Sequence, residues 1–437
     1  MAKPDKTTVF WFRRDLRLDD NHALYKALQS KHKVLPIFIF DRSILEKLEN
    51  KDDKRVEFIH RTLNEINEKL KEFKSGVKVY HGEVLPIWKK IISSFNVDAV
   101  YCNEDYEPYA IQRDNKVQKL LKQNGIELHS LKDQCIFHKN DILKADGSPY
   151  TVFTPYKNRW LENFSDSLLK KHDSKSQLKN LVTETQSMLS LRDLGFTKSK
   201  FDFPSANVDK DVIKSYHQQR DIPGIAGTSK LGIHLRFGTI SIRALIKKVK
   251  DLNETFVSEL IWREFFMMIL FHFPYVVEGP FKKKYDRISW RNDPKGFKKW
   301  CEGNTGYSMV DAGMRELNET GFMHNRVRML CASFLTKHLL IDWRLGEAYF
   351  AEKLLDFELS SNNGNWQWSA GCGCDAAPYF RIFNPITQAK KFDPDNIYIR
   401  RWVPEFEEQA YQDSMIVDHK TARERCLREF KKALSDA

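Results

Sequence analysis

A short segment near the end of the chain, NNGNWQW at residues 362–368, combines amide side chains with two tryptophans. Amide groups need hydrogen-bond partners, whereas indole rings bind apolar surfaces or stack on flat partners. A segment that offers both kinds of group suits a planar ring system whose edge carries nitrogen and oxygen atoms. The segment therefore predicts a binding site for a flat heterocycle.

A helical segment upstream carries side chains that suit the same kind of ligand. In ELIWREF, Glu259, Trp262 and Arg263 stand at positions i, i+3 and i+4, which share one face of a helix. A carboxylate, a flat ring and a guanidinium could hydrogen-bond a base, stack on it and meet its phosphate. The alternative for this segment alone is a surface ion pair beside a core tryptophan.

A third segment, MHNRVRM at residues 323–329, opens a helix that becomes apolar downstream. Asn325, Arg328 and Met329 share one side of this helix by their spacing. The single histidine, His324, is too little for a metal site. A polar helix start needs no function, so this segment alone leaves both readings open.

Residues 227–232 have the sequence GTSKLG and precede a predicted helix. Small hydroxyl side chains and exposed backbone N–H groups at a helix start suit phosphate oxygens. The segment lacks the G-x-x-x-x-G-K-[ST] pattern of a Walker loop, and an ordinary helix N-cap explains it about as well. It is a candidate phosphate contact only in company with the other segments.

The elements that would position these residues differ between the two parts of the chain. In the first part, helical stretches alternate with short β-branched and aromatic runs, which are TTVFWF, KVLPIFIF, VKVY and VDAVYCN. This alternation predicts an α/β N-terminal domain over residues 1–130, with a parallel, Rossmann-like sheet and helices on both faces. No G-x-G-x-x-G follows the first strand, which argues against a nicotinamide-binding unit.

The rest of the chain predicts a linker followed by helices. Residues 131–210 contain scattered Ser, Thr, Lys and Pro with little periodicity, which is typical of an interdomain linker. From residue 211 onward, amphipathic windows such as TFVSELIWREFFMMILF and EAYFAEKLLDFEL dominate. We therefore expect an all-α C-terminal domain over residues 211–437, which contains every candidate segment described above.

The composition is that of a globular protein with an excess of basic residues. The chain has 71 Lys+Arg and 59 Asp+Glu, a formal net charge of +12 and a pI near 9.1, which permits a polyanionic partner. Seven cysteines without regular spacing do not form a disulfide framework, and Cys372 and Cys374 lack the further ligands that a zinc site needs. We expect a cytoplasmic protein with no metal and no membrane segment.

Seven ordered motifs of this chain closely resemble the DNA photolyase/cryptochrome family, and most nearly its class I cyclobutane pyrimidine dimer photolyases. The motifs are WFRRDLRLDDNHAL, GTSKLG, ELIWREF, GYSMVDAGMRELNETGFMHNRVRM, IDWR, NNGNWQW and DAAPYFRIFNP. The resemblance runs from Val9 to about Pro404. It implies an α/β antenna domain, a linker and an all-helical domain that binds a U-shaped FAD.

The resemblance also implies which residues contact FAD. Asn362 corresponds to the residue beside the redox-active edge of the flavin, and Arg328 and Asp356 correspond to the ion pair that flanks the ring. The other implied FAD contacts are Tyr216, Thr228, Ser229, Lys230, Leu231, Arg263, Asn325 and Glu358. Gly232 stands where some relatives have serine, and Glu358 stands where aspartate is expected.

On the substrate side, the resemblance assigns Glu259 a hydrogen bond to a pyrimidine dimer. Trp262 and Trp368 correspond to the walls on which the flipped dimer stacks, and Met329 corresponds to a residue that touches it. Flipping costs least for a damaged base, so the expected partner is UV-damaged DNA, single- or double-stranded. Arg263 and neighbouring basic residues would meet backbone phosphates, which would make binding salt-sensitive.

Three tryptophans match the family's chain of electron-hopping residues, namely Trp366, Trp343 and Trp290. Core packing is the default explanation for any lone tryptophan, but three matching positions favour the chain. The implied reaction is a light-driven carbon–carbon lyase reaction. In it, excited reduced FAD lends an electron to the dimer, the cyclobutane ring splits and the electron returns.

A further group of residues resembles the contacts of a second, antenna chromophore. These residues are Asp41, Arg55, Asp105, Glu107 and Arg113. They match relatives that bind a deazaflavin or a flavin, whereas folate-binding members carry an Asn-Glu pair where this chain has Tyr109-Ala110. We therefore expect a deazaflavin- or flavin-type antenna rather than folate, with an empty pocket as the alternative.

Two related functions stay open as alternatives. A cryptochrome-type blue-light photoreceptor would share the fold and FAD, but Asn362 is asparagine rather than the aspartate of plant cryptochromes. A 6-4 photoproduct photolyase would carry a histidine-rich version of the segment around His324. The family implies a monomer in each case.

Overall fold

The computed structural model describes residues 5–435. The chain forms two compact units. The first unit comprises Met1–His138, Phe164–Asn207 and Lys230–Lys248, and the second comprises Lys139–Asn163, Val208–Ser229 and Val249–Ala437. This division differs from the predicted boundaries, because most of the expected linker packs with the first unit. For example, the Val182 N–H donates to the Val34 carbonyl at 2.9 Å, and the Ser174 hydroxyl donates to the Leu18 carbonyl at 2.7 Å.

The first unit contains a five-stranded parallel sheet of order β3-β2-β1-β4-β5. The strands are β1 (Thr7–Phe12), β2 (Lys33–Asp41), β3 (Lys78–Gly82), β4 (Val97–Asn103) and β5 (Glu127–Leu131). β1 and β2 are almost entirely buried, and most of their residues are β-branched or aromatic, because helices cover both faces of a parallel sheet. The predicted α/β fold class is confirmed.

Twenty α-helices follow one another between and after these strands in the described part of the chain. In chain order they are α1 (His22–Leu28), α2 (Arg42–Leu45), α3 (Lys54–Leu70), α4 (Val84–Ser94), α5 (Pro108–Gln123), α6 (Phe153–Asn163), α7 (Lys210–Lys214), α8 (Tyr216–Gln219), α9 (Gly232–Phe237), α10 (Ile242–Val249), α11 (Glu254–His272), α12 (Pro294–Glu302), α13 (Ser308–Thr320), α14 (Asn325–Ser333), α15 (Trp343–Lys353), α16 (Leu359–Ala370), α17 (Pro385–Phe392), α18 (Ile397–Trp402), α19 (Gln409–Gln412) and α20 (His419–Ser435). Short 3₁₀ turns lie at Lys71–Phe73, Asp166–Leu169, Lys175–Asn180, Pro274–Val277 and Lys283–Arg287. The described residues after β5 form no further strand, which confirms the predicted helical C-terminal region.

A buried network of ion pairs ties α10 to the loops of the first unit. Arg243 on α10 donates to Asp133 at 2.7 Å and to Asp20 at 3.1 Å. Arg17 reaches Asp133 at 2.5 Å, and all four side chains are at most 9% exposed. Ion pairs this deeply buried persist only when each charge has several partners, which is the case here.

The helix that carries NNGNWQW, α16, is anchored at its C-terminal end by a buried lysine. Lys337 lies in a π-helical segment, Phe334–His338, that directly continues α14. Its Nζ donates to the Ala370 carbonyl at 2.7 Å and lies 3.8 Å from the ring centre of Phe430 on α20. Burial lowers the pKa of Lys337 to about 8. The last turn of α16 is thus held to both neighbouring helices.

The same π-helical segment also contacts α20 through a histidine pair. His338 Nε2 lies 2.8 Å from His419 Nδ1, and Arg425 donates to the His338 carbonyl. Burial and the neighbouring His419 lower the pKa of His338 to about 3. A neutral imidazole therefore fastens α20 to the core of the second unit.

Within residues 5–435 no helix has the length and apolar character needed to cross a bilayer. The seven cysteines are free thiols. The described residues also contain no group of three or more His, Cys, Asp or Glu side chains placed to hold a metal ion.

Candidate functional site

The second unit contains a cavity of about 590 Å³, counted with its open mouth, between α14, α15 and α16. It brings together residues from separate predicted segments. The predicted site residues that line it are Asn325, Arg328, Met329, Asp356, Glu358, Asn362, Trp366 and Trp368. A volume of this size is in the range of sites for small molecules and cofactors.

One wall of the cavity carries an ion pair between α14 and the segment before α16. Arg328 Nη2 lies 3.0 and 3.2 Å from the two carboxylate oxygens of Asp356, and Arg328 Nε donates to the Met323 carbonyl at 2.6 Å. These bonds fix the guanidinium on the cavity wall. Asn325 and Met329 lie one helical turn apart on the same face, as their spacing predicts.

Asn362 on α16 is held by a carboxylate on α15. Its Nδ2 donates to Glu347 Oε1 at 2.8 Å and to the Glu347 carbonyl at 3.1 Å. Burial raises the pKa of Glu347, and the hydrogen bond from Asn362 opposes that shift. Because both amide hydrogens are directed at Glu347, the Asn362 carbonyl oxygen is the group left for a ligand.

Two glycines allow large rings to pack tightly at this site. A Cβ at Gly346 on α15 would lie 2.2 Å from Cη2 of Trp366, and one at Gly364 would lie 2.2 Å from Cδ1 of Phe266. Both distances are far below van der Waals contact. The positions of Trp366 and Phe266 therefore depend on the absence of these side chains.

The three tryptophans of the predicted chain lie at different depths. Trp366 and Trp343 are each 2% exposed, whereas Trp290 is half-buried and contacts Phe430 edge-on at 5.9 Å. The ring of Trp366 contacts a fourth tryptophan, Trp300, at a centroid distance of 6.1 Å. Trp300 is fully buried and is not one of the residues predicted from the sequence.

Glu259 on α11 is engaged by an arginine at the end of α8. Arg220 Nη1 donates to Glu259 Oε1 at 2.5 Å, and its guanidinium lies 5.3 Å from the ring centre of Tyr216. Burial lowers the pKa of Arg220, but the charge and hydrogen bond of Glu259, together with Tyr216 and Asp221, outweigh it, and the pKa lies above the ordinary value. Burial and Glu259 raise the pKa of Tyr216 to about 12. One arginine thus connects a predicted substrate contact with a predicted cofactor contact.

The other two predicted residues of α11 take different partners. Trp262 stacks on Phe153 of α6 with ring centres 3.6 Å apart and planes 9° apart. Arg263 lies 3.6 Å from Glu358, measured from Nη2 to Oε2. Neither of these α11 residues, nor Glu259, lines the cavity between α14, α15 and α16.

The predicted phosphate segment precedes α9, as expected. Thr228 and Ser229 belong to the second unit, and the chain passes into the first unit at Lys230. Lys230 has a positive φ of 50°, and Leu231 is 1% exposed at the helix N-cap. A left-handed residue next to the N-cap of a helix turns successive backbone N–H groups toward one side.

The predicted antenna residues at the carboxyl end of β2 are bound by protein partners. Asp41 accepts a hydrogen bond from the Tyr109 hydroxyl, and burial together with Asp41 raises the pKa of Tyr109 to about 12. Arg55 pairs with Asp53 at 2.6 Å.

The remaining antenna residues follow β4 and form a second cluster. Asp105 and Glu107 lie 3.1 and 3.0 Å from the same Arg14 nitrogen, and Arg113 pairs with Asp114 at 2.8 Å. Burial opposes ionisation of Asp105, but the charges of Arg14, Arg13, Arg236 and Arg113 together outweigh it and lower its pKa. A larger cavity of the first unit, about 1620 Å³ with its mouth, runs along α3, and none of the five antenna residues lines it.

Arg220, Trp300 and Glu347 are candidate functional residues that the sequence did not single out. Arg220 follows Tyr216 by four residues, so helical spacing could have linked the two. Glu347 and Trp300 carry no comparable signal, because their contacts with Asn362 and Trp366 depend on helix packing.

The chemistry of the cavity fits the expected flavin. Amide groups of Asn325 and Asn362 can bond the heteroatoms of a ring edge, and Trp366 and Phe350 offer apolar surface. The Arg328–Asp356 pair supplies both a donor and an acceptor on the cavity wall. No nucleophile with an adjacent general base is present among these lining residues, so the site is suited to binding and electrostatic tuning of a cofactor.

Two family profiles match the chain. The family described as DNA photolyase matches residues 8–176, and the family described as the FAD binding domain of DNA photolyase matches residues 256–413. The second match contains α14, α15 and α16, which line the cavity. The FAD-binding domain expected from the sequence is therefore confirmed.

Similar proteins cover nearly the whole chain. The deoxyribodipyrimidine photo-lyase of Vibrio cholerae is 36% identical over 97% of this chain and 99% of its own length. That of Escherichia coli K12 is 35% identical over 91% of this chain and 89% of its own length.

Solved structures agree with this result. A class III photolyase from Agrobacterium tumefaciens superposes with a TM-score of 0.86 at 32% identity, covering 100% of this chain and 99% of that chain. An archaeal photolyase from Sulfolobus tokodaii, described with two FAD molecules, gives a TM-score of 0.82 at 34% identity. The match covers 98% of this chain and 100% of that chain. The chain belongs to the DNA photolyase family.

Proposed function

We propose that this enzyme repairs cyclobutane pyrimidine dimers in DNA with light. The observation that carries the proposal is that Asn362, the Arg328–Asp356 pair, Met329 and Trp368 line the same cavity. Bound FAD would supply light absorption and the transferred electron. The side chains would supply position, electrostatics and exclusion of water.

Asn362, Arg328 and Asp356 are the residues proposed to hold the flavin ring. Glu347 fixes the Asn362 amide, so its carbonyl oxygen keeps one direction toward the ligand. Arg328 and Asp356 stabilise opposite partial charges on the ring edge without moving, because each is already bonded to the other. Tyr216 and residues 228–231 are proposed contacts of the phosphates and the ribityl chain, with Arg263, Asn325 and Glu358 as further contacts.

Glu259, Trp262, Met329 and Trp368 are the residues proposed to bind the flipped dimer. The indoles would stack on the two pyrimidine rings, and the Glu259 carboxyl would hydrogen-bond their polar edge. Arg220 holds Glu259 in the protein alone, so we propose that this ion pair rearranges when a dimer enters. The proposed partner is UV-damaged DNA.

Trp366, Trp343 and Trp290 are proposed to pass electrons from the surface to the flavin before repair. Replacing Trp366 by phenylalanine should slow photoreduction of the bound flavin about tenfold or more, because the innermost indole donor is removed. Repair by chemically reduced enzyme should stay close to the wild-type rate. Loss of repair in both conditions would contradict this role for Trp366.

The substrate is tested with two oligonucleotides side by side, one with a thymine cyclobutane dimer and one with a 6-4 photoproduct. We expect light-dependent restoration of the first and no change in the second, measured by chromatography of the products. Restoration of the 6-4 product alone would overturn the proposed substrate. Absence of either reaction with reduced, FAD-loaded enzyme would favour a photoreceptor.

The second chromophore is proposed to be of the deazaflavin or flavin type. The Sulfolobus tokodaii structure, described with two FAD molecules and a novel light-harvesting cofactor, supports a flavin. Reconstitution of the protein with FAD in excess and measurement of the bound stoichiometry would test this proposal. A stoichiometry of one FAD per chain, together with bound folate, would contradict it.

A further inference from the structure

A basic surface surrounds Trp290 in the second unit, and we call it the Trp290 surface. Its basic members are Lys283, Lys284, Arg287, Arg291, Lys420, Arg423, Arg425, Arg428, Lys431 and Lys432. All of them are exposed except Arg425, which is half-buried. They come from the 3₁₀ turn Lys283–Arg287, the segment that follows it, and α20.

The two segments lie next to each other because a phenylalanine of α20 packs against both. Phe430 lies 5.9 Å from Trp290 and 6.3 Å from Tyr285, measured between ring centres. Trp290 therefore lies beside α20 and not in the interior. Its indole is the only half-buried member of the predicted tryptophan chain, since Trp366 and Trp343 are each 2% exposed.

Basic residues outnumber acidic ones on this surface, although Arg291 pairs with Asp293 at 3.2 Å and Arg428 pairs with Glu429 at 3.1 Å. Residues 283–293 carry four basic and two acidic side chains. Residues 418–432 carry six basic and three acidic side chains, so the two segments together have a formal charge of +5. Asp286 is also engaged by Arg344 at 2.5 Å. Burial, and then the charges of Arg291 and Arg428, lower the pKa of Arg425. Like charges are thus crowded closely enough to repel, and an anionic partner would relieve that repulsion.

The Trp290 surface and the cavity lie at opposite ends of α14 and the π-helical segment that continues it. The N-terminal turn of α14 lines the cavity, and the π-helical segment that continues α14 packs against α20. Asn325 and His338 are separated by about 20 Å at the rise of a helix. None of the ten basic residues of the surface lines the cavity, so a ligand in the cavity does not account for them.

We propose that the Trp290 surface docks an acidic electron-carrier protein that returns an electron to Trp290. The inference rests on the proposed function, because Trp290 is there the outer end of the tryptophan chain. A protein fits better than a small anion, since the charges are spread along α20, which is about 25 Å long. Complementary charge would steer the carrier to the half-buried Trp290 indole.

Trp366, at the inner end of the chain, would give up one electron, and bound FAD excited by light would be the oxidant that accepts it. The resulting hole moves outward and leaves Trp290 as an indole radical cation. The reduced carrier then loses one electron, and Trp290 gains it and becomes a neutral closed-shell ring. No bond breaks and no proton is transferred at Trp290.

The test compares the FAD-loaded wild-type enzyme with two triple variants of equal charge change. The surface variant is Arg291→Glu, Arg428→Glu and Lys431→Glu. The control variant is Lys116→Glu, Lys119→Glu and Lys122→Glu, at exposed positions of α5 in the first unit. Transient absorption after a flash measures the rate at which the Trp290 radical decays. Three electron donors are compared in separate experiments, namely a reduced acidic ferredoxin, ferrocyanide and neutral dithiothreitol.

With ferredoxin, we expect the surface variant to react at least about tenfold more slowly than the wild type and the control variant. The wild-type rate should also fall with added salt, and the dithiothreitol rate should be equal in all three proteins. Equal ferredoxin rates in the wild type and the surface variant would overturn the proposal. An equally large slowing with ferrocyanide would overturn docking of a protein in favour of simple attraction of anions.

Binding of the oxidised ferredoxin in the dark, measured by calorimetry, separates this inference from the proposed function. Weaker binding by the surface variant than by the control variant supports docking, even if the tryptophan chain is wrong. A radical signal that persists in Trp290→Phe would refute the chain and not the docking surface. If the surface variant loses only affinity for undamaged duplex DNA, the surface binds nucleic acid and the proposal is overturned.

Discussion

Asn362 is held in one orientation by its neighbours. Its amide is oriented by Glu347, and its carbonyl oxygen is left for the ligand. The NNGNWQW segment predicted a heterocycle site from composition alone, and the family resemblance added the flavin. Neither could predict Glu347, because the contact depends on how α15 packs against α16 and has no counterpart in sequence spacing.

A methyl group added at Gly346 should destabilise the second unit. The new Cβ would lie 2.2 Å from Trp366 and 2.5 Å from Leu335, so buried rings must shift. We expect Gly346→Ala to lower the free energy of unfolding by about 1–3 kcal/mol, measured by urea denaturation. Gly279→Ala is the matched control, since its Cβ would have 3.9 Å to the nearest atom. Equal stability of the two variants would contradict the close packing.

The predicted antenna residues show what a sequence motif cannot record about single positions. Asp41, Arg55, Asp105, Glu107 and Arg113 all lie in the first unit, but each is bonded to another side chain. A sequence motif records which residue types recur and cannot record whether they are already paired. Their role toward a second chromophore therefore stays a prediction.

Among the elements, the strands were the easiest to predict. TTVFWF and VDAVYCN coincide almost residue for residue with β1 and β4, because buried strands of a parallel sheet are nearly continuous apolar runs. The expected linker was less predictable. It includes α6 and two 3₁₀ turns, and much of it pairs with the first unit through single hydrogen bonds that leave no periodic pattern.

The ion network around α10 should contribute strongly to the stability of the first unit. Replacing Arg243 by methionine removes one cation from between Asp20 and Asp133, which stay buried. We expect a loss of about 3–5 kcal/mol in unfolding free energy. Lys247→Met, at an exposed position of the same helix, should change it by less than about 0.5 kcal/mol. A small effect of Arg243→Met would mean that Arg17 alone neutralises both carboxylates.

The contact between the π-helical segment and α20 should make the second unit sensitive to acid. The pKa of His338 is about 3 in the folded protein, whereas an unfolded histidine titrates near 6.5. Between these values the unfolded state binds more protons, so stability falls as the pH is lowered. Protonation linked to His338 alone should lower the free energy of unfolding by about 2 kcal/mol between pH 6.5 and pH 4.5.

This pH dependence is measured by urea denaturation across that range. His338→Asn should flatten the dependence, whereas His81→Asn, at an exposed histidine, should leave it unchanged. An identical slope in wild type and His338→Asn would show that other groups are responsible.

At the scale of the whole molecule, the net charge of +12 leads us to expect salt-dependent DNA binding. Each phosphate contact by lysine or arginine releases a counterion, so affinity falls linearly with the logarithm of salt concentration. We expect dimer-containing duplex to bind about tenfold or more weakly at 200 mM than at 50 mM salt, measured by fluorescence anisotropy. A flat dependence would contradict phosphate contacts as the main source of affinity.

The buried amine of Lys337 has a practical consequence. With a pKa of about 8, part of this amine is uncharged at neutral pH and is intrinsically reactive toward acylating reagents, yet the side chain is only 1% exposed. Acylation can therefore occur only when α16 and α20 separate. The rate of acylation at Lys337, followed by mass spectrometry, would therefore report how often the helix that carries Asn362 opens locally. A tightly bound flavin should lower that rate.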